Sequence, residues 1–139
     1  MNEKVLIKRK AEVELKVESL AYGGMGIAKR ENFVIFVKNA IPGQTVIGRI
    51  YKKKKGYAEA RALKILVESP NVVKPKCNHF YICSKIQNLS YKEQLKEKSN
   101  QVIDAFQRLG GFKDFKLNNV VKGNPIFNYR NKMEFTFSP

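Results

Sequence analysis

Four consecutive lysines, Lys52, Lys53, Lys54 and Lys55, with Arg49 just ahead of them, concentrate positive charge on one short stretch. Ammonium groups on a projecting turn can follow phosphates without reading bases, and the affinity they supply falls with salt. Tyr51 and Tyr57 flank the run, and Phe33 and Phe36 lie upstream. Cations interleaved with aromatic rings suit single-stranded nucleic acid, because unpaired bases stack on the rings, and Tyr57 joins the basic residues as a candidate contact. The bland alternative is a solvated lysine turn with its aromatics in a core. A second candidate is Arg130, Asn131 and Lys132. Arg can clamp a phosphate bidentately, Asn can pair with a base edge and Lys can neutralise charge. Structural hydrogen bonding at the start of a strand explains the same trio equally well. The third is the pair Cys77 and Cys83 with His79 between them, either reduced thiols or the remnant of a metal site.

The rest of the composition narrows the partner class. Across 139 residues, 27 Lys+Arg stand against 12 Asp+Glu, a formal charge of +15 that draws in polyanions. Charge alone does not separate nucleic acid from anionic lipid, but no apolar run approaches the roughly 18 residues a membrane span needs, and residues 1–10 are charged rather than leader-like. A soluble, cytoplasmic protein with no membrane contact is expected. Two cysteines are too few for a secreted disulfide framework.

These candidates need elements to hold them. Residues 11–19, 26–29, 32–37, 45–53 and 57–66 carry β-branched and aromatic residues with partial alternation, as in Val13, Leu15 and Val17 against Glu12, Glu14, Lys16 and Glu18. Five strands in such a short span predict a mainly β unit, a small closed barrel that leaves few exposed edges. Gly23-Gly24, Gly26 and Pro42-Gly43 supply turns. The last two strands form a long hairpin with the lysines at its tip. Pro70 and Pro75 then mark a boundary, giving a barrel over 9–68 and a different unit over 69–139. There, Tyr91, Leu95, Val102, Phe106 and Leu109 recur at helical spacing, predicting a helix over 91–109 with an apolar stripe on a core and its lysines and glutamates in water. Ser90 with Glu93 reads as a capping box and Gly110-Gly111 as the stop. Strands are expected over 117–121 and 133–137, with a turn at 123–125, so that the chain stops at Pro139 as an α+β sheet is beginning.

From Arg9 to Asn71, the run Ala21-Tyr22-Gly23-Gly24-Met25-Gly26-Ile27-Ala28, then Phe36-Val37 and Ala40-Ile41-Pro42-Gly43-Gln44, resembles a TRAM domain, a five-stranded RNA-binding barrel of the oligonucleotide-binding type. Cys77 to Cys83, then Gln87-Asn88-Leu89-Ser90-Tyr91, Gln94-Leu95 and Lys98, and finally Tyr129 to Phe135, resemble the segments that follow this domain in RNA uracil-5-methyltransferases. The resemblance implies the amino-terminal portion of an enzyme that uses S-adenosylmethionine to methylate uridine C5 in ribosomal or transfer RNA. It implies RNA rather than DNA as partner and a monomeric protein. The cysteine nucleophile and cofactor site of that family lie in a Rossmann-like domain with no counterpart here, so no catalytic residue and no cofactor is assigned to this chain. Many members also hold a four-iron, four-sulfur cluster through Cys, five residues, Cys, two residues, Cys. Cys77 and Cys83 match the first two ligands, but Ile86 occupies the third position, and two thiolates cannot hold such a cluster alone.

Two further classes remain. A non-enzymatic TRAM-type RNA-binding protein would have the same barrel and helix without a catalytic continuation. An iron–sulfur sensor is poorly supported by two cysteines.

Overall fold

The computed structural model describes residues 7–30, 33–132 and 134. Five strands, β1 (Glu12–Leu20), β2 (Gly26–Arg30), β3 (Phe33–Lys38), β4 (Thr45–Lys53) and β5 (Tyr57–Val67), close into a barrel in the order β1-β2-β3-β5-β4. All pairings are antiparallel except β3 with β5, and closure gives every strand two neighbours. Each strand boundary lies within a residue of its expected position. Asn32, the expected first residue of β3, lies outside the described residues.

Alternation explains the closure. Val13, Leu15 and Val17 on β1 turn inward with Ala28, Ile35, Val37, Val46, Ile50, Ala58 and Ala60, and the intervening Glu12, Glu14, Lys16 and Glu18 face out. Alanines opposite the branched residues keep so small a barrel filled without overpacking. Two glycines serve close approach. A Cβ on Gly26 would lie 2.7 Å from Val17 Cγ1 and 3.0 Å from the Ala40 carbonyl oxygen, so this residue is buried against neighbouring chain rather than acting as the expected positive-φ turn. Gly23 and Gly24, at φ +89° and +82°, supply the left-handed turn instead.

Beyond the barrel the chain is fastened to its Pro42-Gly43 end. Ser69 Oγ donates to the Pro42 carbonyl at 2.7 Å, and Gln44 Nε2 donates to Glu68 Oε1 at 2.6 Å. A helical turn, α1 (Phe80–Cys83), precedes the main helix, α2 (Tyr91–Asp104), which continues as a π-helical turn over Ala105–Leu109. Gly111, at φ +71°, follows the end of this continuous segment, as the Gly110-Gly111 pair predicts.

Three local expectations are corrected. The Ser90 side chain makes no capping bond; the Glu93 carboxylate turns to Lys96 Nζ at 3.2 Å, so the reciprocal box does not form. The apolar stripe is covered only in part: Tyr91 and Leu95 are half-buried, but Val102, Phe106 and Leu109 are exposed. Gln94, Glu97 and Gln101 turn towards the barrel and preceding loop. Their spacing also makes one helical face, and that face satisfies backbone groups. Glu97 Oε2 accepts from Leu20 N at 2.7 Å, Gln101 Nε2 donates to the Leu20 and Ala21 carbonyls, and Gln94 Nε2 donates to those of Ile86 and Leu89. Residues 117–121 form no strand, having no neighbouring strand to pair with among the described residues. The expected strand over 133–137 lies, but for Glu134, outside the described residues.

Candidate nucleic-acid interface

The β4–β5 hairpin carries the lysine run to one end of the barrel. Antiparallel register decides which of its cations are already engaged. Glu12 faces Arg49 across β1–β4, and Glu59 faces Lys52 across β4–β5. Arg49 Nη2 therefore pairs with Glu12 at 2.6 Å, and Lys52 Nζ with Glu59 at 2.5 Å. Lys53, Lys54 and Lys55 are exposed, and none pairs with a carboxylate among the described residues.

Glu59 also organises the aromatic neighbours. Tyr51 donates its hydroxyl to Glu59 Oε2 at 2.8 Å. Burial, then this hydrogen bond and the carboxylate's charge, push the Tyr51 phenol up to about 12. Hydrogen bonds from Lys52 first and Tyr51 second hold the Glu59 carboxyl below the usual carboxylate range, and the same contact holds the Lys52 ammonium above its ordinary value. Lys38 Nζ sits 4.9 Å from the Tyr51 ring centroid and Lys52 Nζ 5.9 Å from that of Tyr57. Tyr57 meets Phe36 edge to face, with centroids 5.7 Å apart. Phe33 packs on the barrel core and is not part of this surface.

Arg130, Asn131 and Lys132 lie on the exposed segment after the helix. Arg130 Nε donates to the Lys132 carbonyl at 3.1 Å, and Lys132 Nζ pairs with Glu134 at 2.9 Å. Asn131 is exposed.

Among the described residues no group of three or more His, Cys, Asp or Glu side chains could hold a metal ion. Cys77 is a half-buried thiol whose sulfur lies 4.0 Å from Gln87 Nε2, and Cys83 closes α1, its side chain outside the described set. Ile86, at the third ligand position, packs against the buried cluster of Leu20, Ile41 and Leu89. An apolar side chain in an apolar cluster offers no donor for iron, and the residues present do not suit a cluster.

One element of this surface was missed in the sequence. β3 reads Phe33-Val34-Ile35-Phe36-Val37, apolar on both faces, where a barrel strand with a solvated outside should alternate. That unbroken run signals a covered outer face. Val34 and Phe36 point outward, half-buried, beneath the end of α2 and its π-helical turn.

The family model described as the TRAM domain matches residues 8–63. Residues 8–63 are thus similar to a TRAM domain. Over 136 residues, 94% of its length, the chain is 37% identical to an uncharacterized RNA methyltransferase of Clostridium tetani. It is 34% identical over 125 residues to one of Aquifex aeolicus, and 40% identical over 121 residues to one of Bacteroides thetaiotaomicron. These matches take in 88% and 86% of the chain. The chain spans 29%, 29% and 27% of the three relatives. The resemblance drawn from the motifs thus holds at both levels, a TRAM barrel and a longer similarity to RNA methyltransferases that runs through the cysteine segment and helix. Among the described residues no helix is long and apolar enough to cross a membrane.

Proposed function

We propose that this chain binds RNA through the tip of its TRAM barrel and serves as the recognition portion of an RNA uracil-5-methyltransferase. The observation that carries the reading is the trio of unpaired lysines at the β4–β5 tip, set beside the Phe36–Tyr57 pair. Phosphates meet Lys53, Lys54 and Lys55 at no cost in broken ion pairs. Arg49 and Lys52, both solvent-accessible, exchange a carboxylate for a phosphate as the strand arrives. Tyr57 offers a ring to a neighbouring base. Arg130, Asn131 and Lys132 form a second contact set on the same RNA, outside the barrel.

In this reading the substrate is ribosomal or transfer RNA rather than DNA, the protein is a cytoplasmic monomer, and the methyl donor is S-adenosylmethionine. The cofactor's site lies in another part of such an enzyme. The barrel's glycine turns join antiparallel strands instead of leading from a strand into a helix, so they do not suit the cofactor, and no step of methyl transfer is assigned to these residues.

The test is a salt titration of RNA binding by the chain with Lys53, Lys54 and Lys55 all changed to Gln. Affinity should fall for every RNA sequence, and the slope of log affinity against log salt should flatten by about 2, the share of three phosphates on a single strand. An unchanged slope would remove the hairpin tip from the interface.

A further inference from the structure

Strand register sets three cations in one row across the outside of β3, β5 and β4. Lys38 lies opposite Arg61 on β3–β5, and Arg61 lies opposite Arg49 on β4–β5. All three are exposed. Like charges placed directly opposite each other cost stability, whereas an opposed carboxylate adds to it, as Glu12 does for Arg49 where the row meets β1. Lys38 and Arg61 pair with no carboxylate among the described residues. The row therefore works against the fold, and a polyanion laid over it turns that repulsion into attraction. In the barrel order it runs from β3 away from β2, towards the side occupied by β4.

We propose that this face docks a paired stem of RNA, gripping its phosphates without reading its bases, beside the single-stranded segment held at the hairpin tip. The proposal rests on the RNA-binding reading above and names the form of RNA that the β4–β5 side takes. Three properties favour a stem. First, the row crosses three neighbouring strands, about 10 Å, and Arg49 stands four residues from Lys53, about 13 Å along β4. Cations spread in two directions suit the two backbones of a duplex better than the single track of an unpaired strand. Second, the row offers no open ring for stacking. Tyr51, the aromatic residue beside it, is half-buried, has Lys38 Nζ 4.9 Å from its ring centroid and donates its hydroxyl to Glu59. Unpaired bases need such rings, whereas a stem keeps its bases stacked inside and is met through phosphates and 2′-hydroxyls across its shallow minor groove. Third, the unpaired Arg61 guanidinium can clamp a phosphate through two parallel N–H bonds with no ion pair to break.

The test separates this face from the lysine tip. Two variants serve: Lys38→Gln combined with Arg61→Gln, and Arg61→Glu alone. The ligands are an RNA stem carrying a single-stranded tail, and the tail by itself, each titrated across a range of salt. The double Gln variant should bind the tailed stem about tenfold more weakly near 0.1 M salt, and its slope of log affinity against log salt should flatten by about 2, the share of two duplex phosphates. Its affinity for the tail alone should not change. Arg61→Glu should weaken stem binding further while raising the midpoint of urea unfolding, because it places a carboxylate between Lys38 and Arg49. A midpoint that falls together with stem binding would assign Arg61 to the fold instead. Unchanged affinity for the tailed stem, or an equal loss on both ligands, would overturn the stem face. If the Lys53, Lys54 and Lys55 variant loses the tail while the double Gln variant keeps the stem, the RNA-binding reading survives without this face. An unaltered chain that binds neither ligand would end both.

Discussion

Replacing Glu97 with Ala should undock the helix from the barrel. The Glu97 carboxylate is 5% exposed and accepts the backbone N–H of Leu20, itself 4% exposed, at 2.7 Å. That amide ends β1 where the chain turns towards β2, and the carboxylate supplies its side-chain acceptor. A charge-assisted bond of this length stabilises more than a neutral one, and a buried donor left without an acceptor costs about 1–3 kcal/mol. Alanine's better helix propensity returns a few tenths of a kcal/mol, leaving a net loss of about 1–2.5 kcal/mol. Glu97→Gln keeps an acceptor oxygen and sheds the carboxylate's desolvation cost, so it should lose less than about 1 kcal/mol. Urea unfolding gives the free energies, and hydrogen exchange of the Leu20 amide gives the local effect. Exchange there should quicken in the Ala variant and change little in the Gln variant, while amides deep in the barrel follow global stability. If Glu97→Ala unfolds within about 0.5 kcal/mol of the unaltered chain and Leu20 stays equally protected, the polar docking face is not what holds the helix.

Gly26→Ala should lose about 1–3 kcal/mol in the same unfolding measurement. The added Cβ meets the Ala40 backbone as well as the Val17 side chain, and only the side chain can give way easily. For Tyr51, a phenolate absorbance titration should show one group ionising near 12 that disappears in Tyr51→Phe and moves down in Glu59→Gln, though burial keeps it above the ordinary 10.0. Because its folded value is raised, this phenol favours the fold below pH 10.0 and loses that contribution as pH climbs towards about 12. Glu59 runs the opposite way: its lowered value favours the fold above the usual carboxylate range, and the advantage over Glu59→Gln should fade as acid titrates the folded carboxyl.

The barrel strands were legible because their signal is local. Val13, Leu15 and Val17 alternate with charged neighbours, and the glycine and Pro42-Gly43 turns interrupt the runs where strands end. The helix was legible in extent but not in orientation. Its exposed stripe of Val102, Phe106 and Leu109 outranks Gln94, Glu97 and Gln101 on any hydropathy scale, yet the polar residues face the barrel and loop because unpaired carbonyls and an amide wait there. Periodicity cannot report a need for hydrogen bonds on a surface that exists only after the barrel closes.

The lysine tip shows the same division. From the sequence alone came a basic hairpin, its flanking tyrosines and the family of its barrel, since composition and short motifs carry all three. Which lysines are free was decided by tertiary register. Glu12 lies 37 residues from Arg49 and Glu59 lies 7 from Lys52, and only strand pairing sets each carboxylate opposite its cation. The same register lines up Ile27, Val34, Phe36 and Tyr57 as one floor, and helix docking turns that floor into a groove. Charge and alternation are properties of neighbours along the chain, whereas an ion pair or a cleft belongs to residues that become neighbours only when it folds.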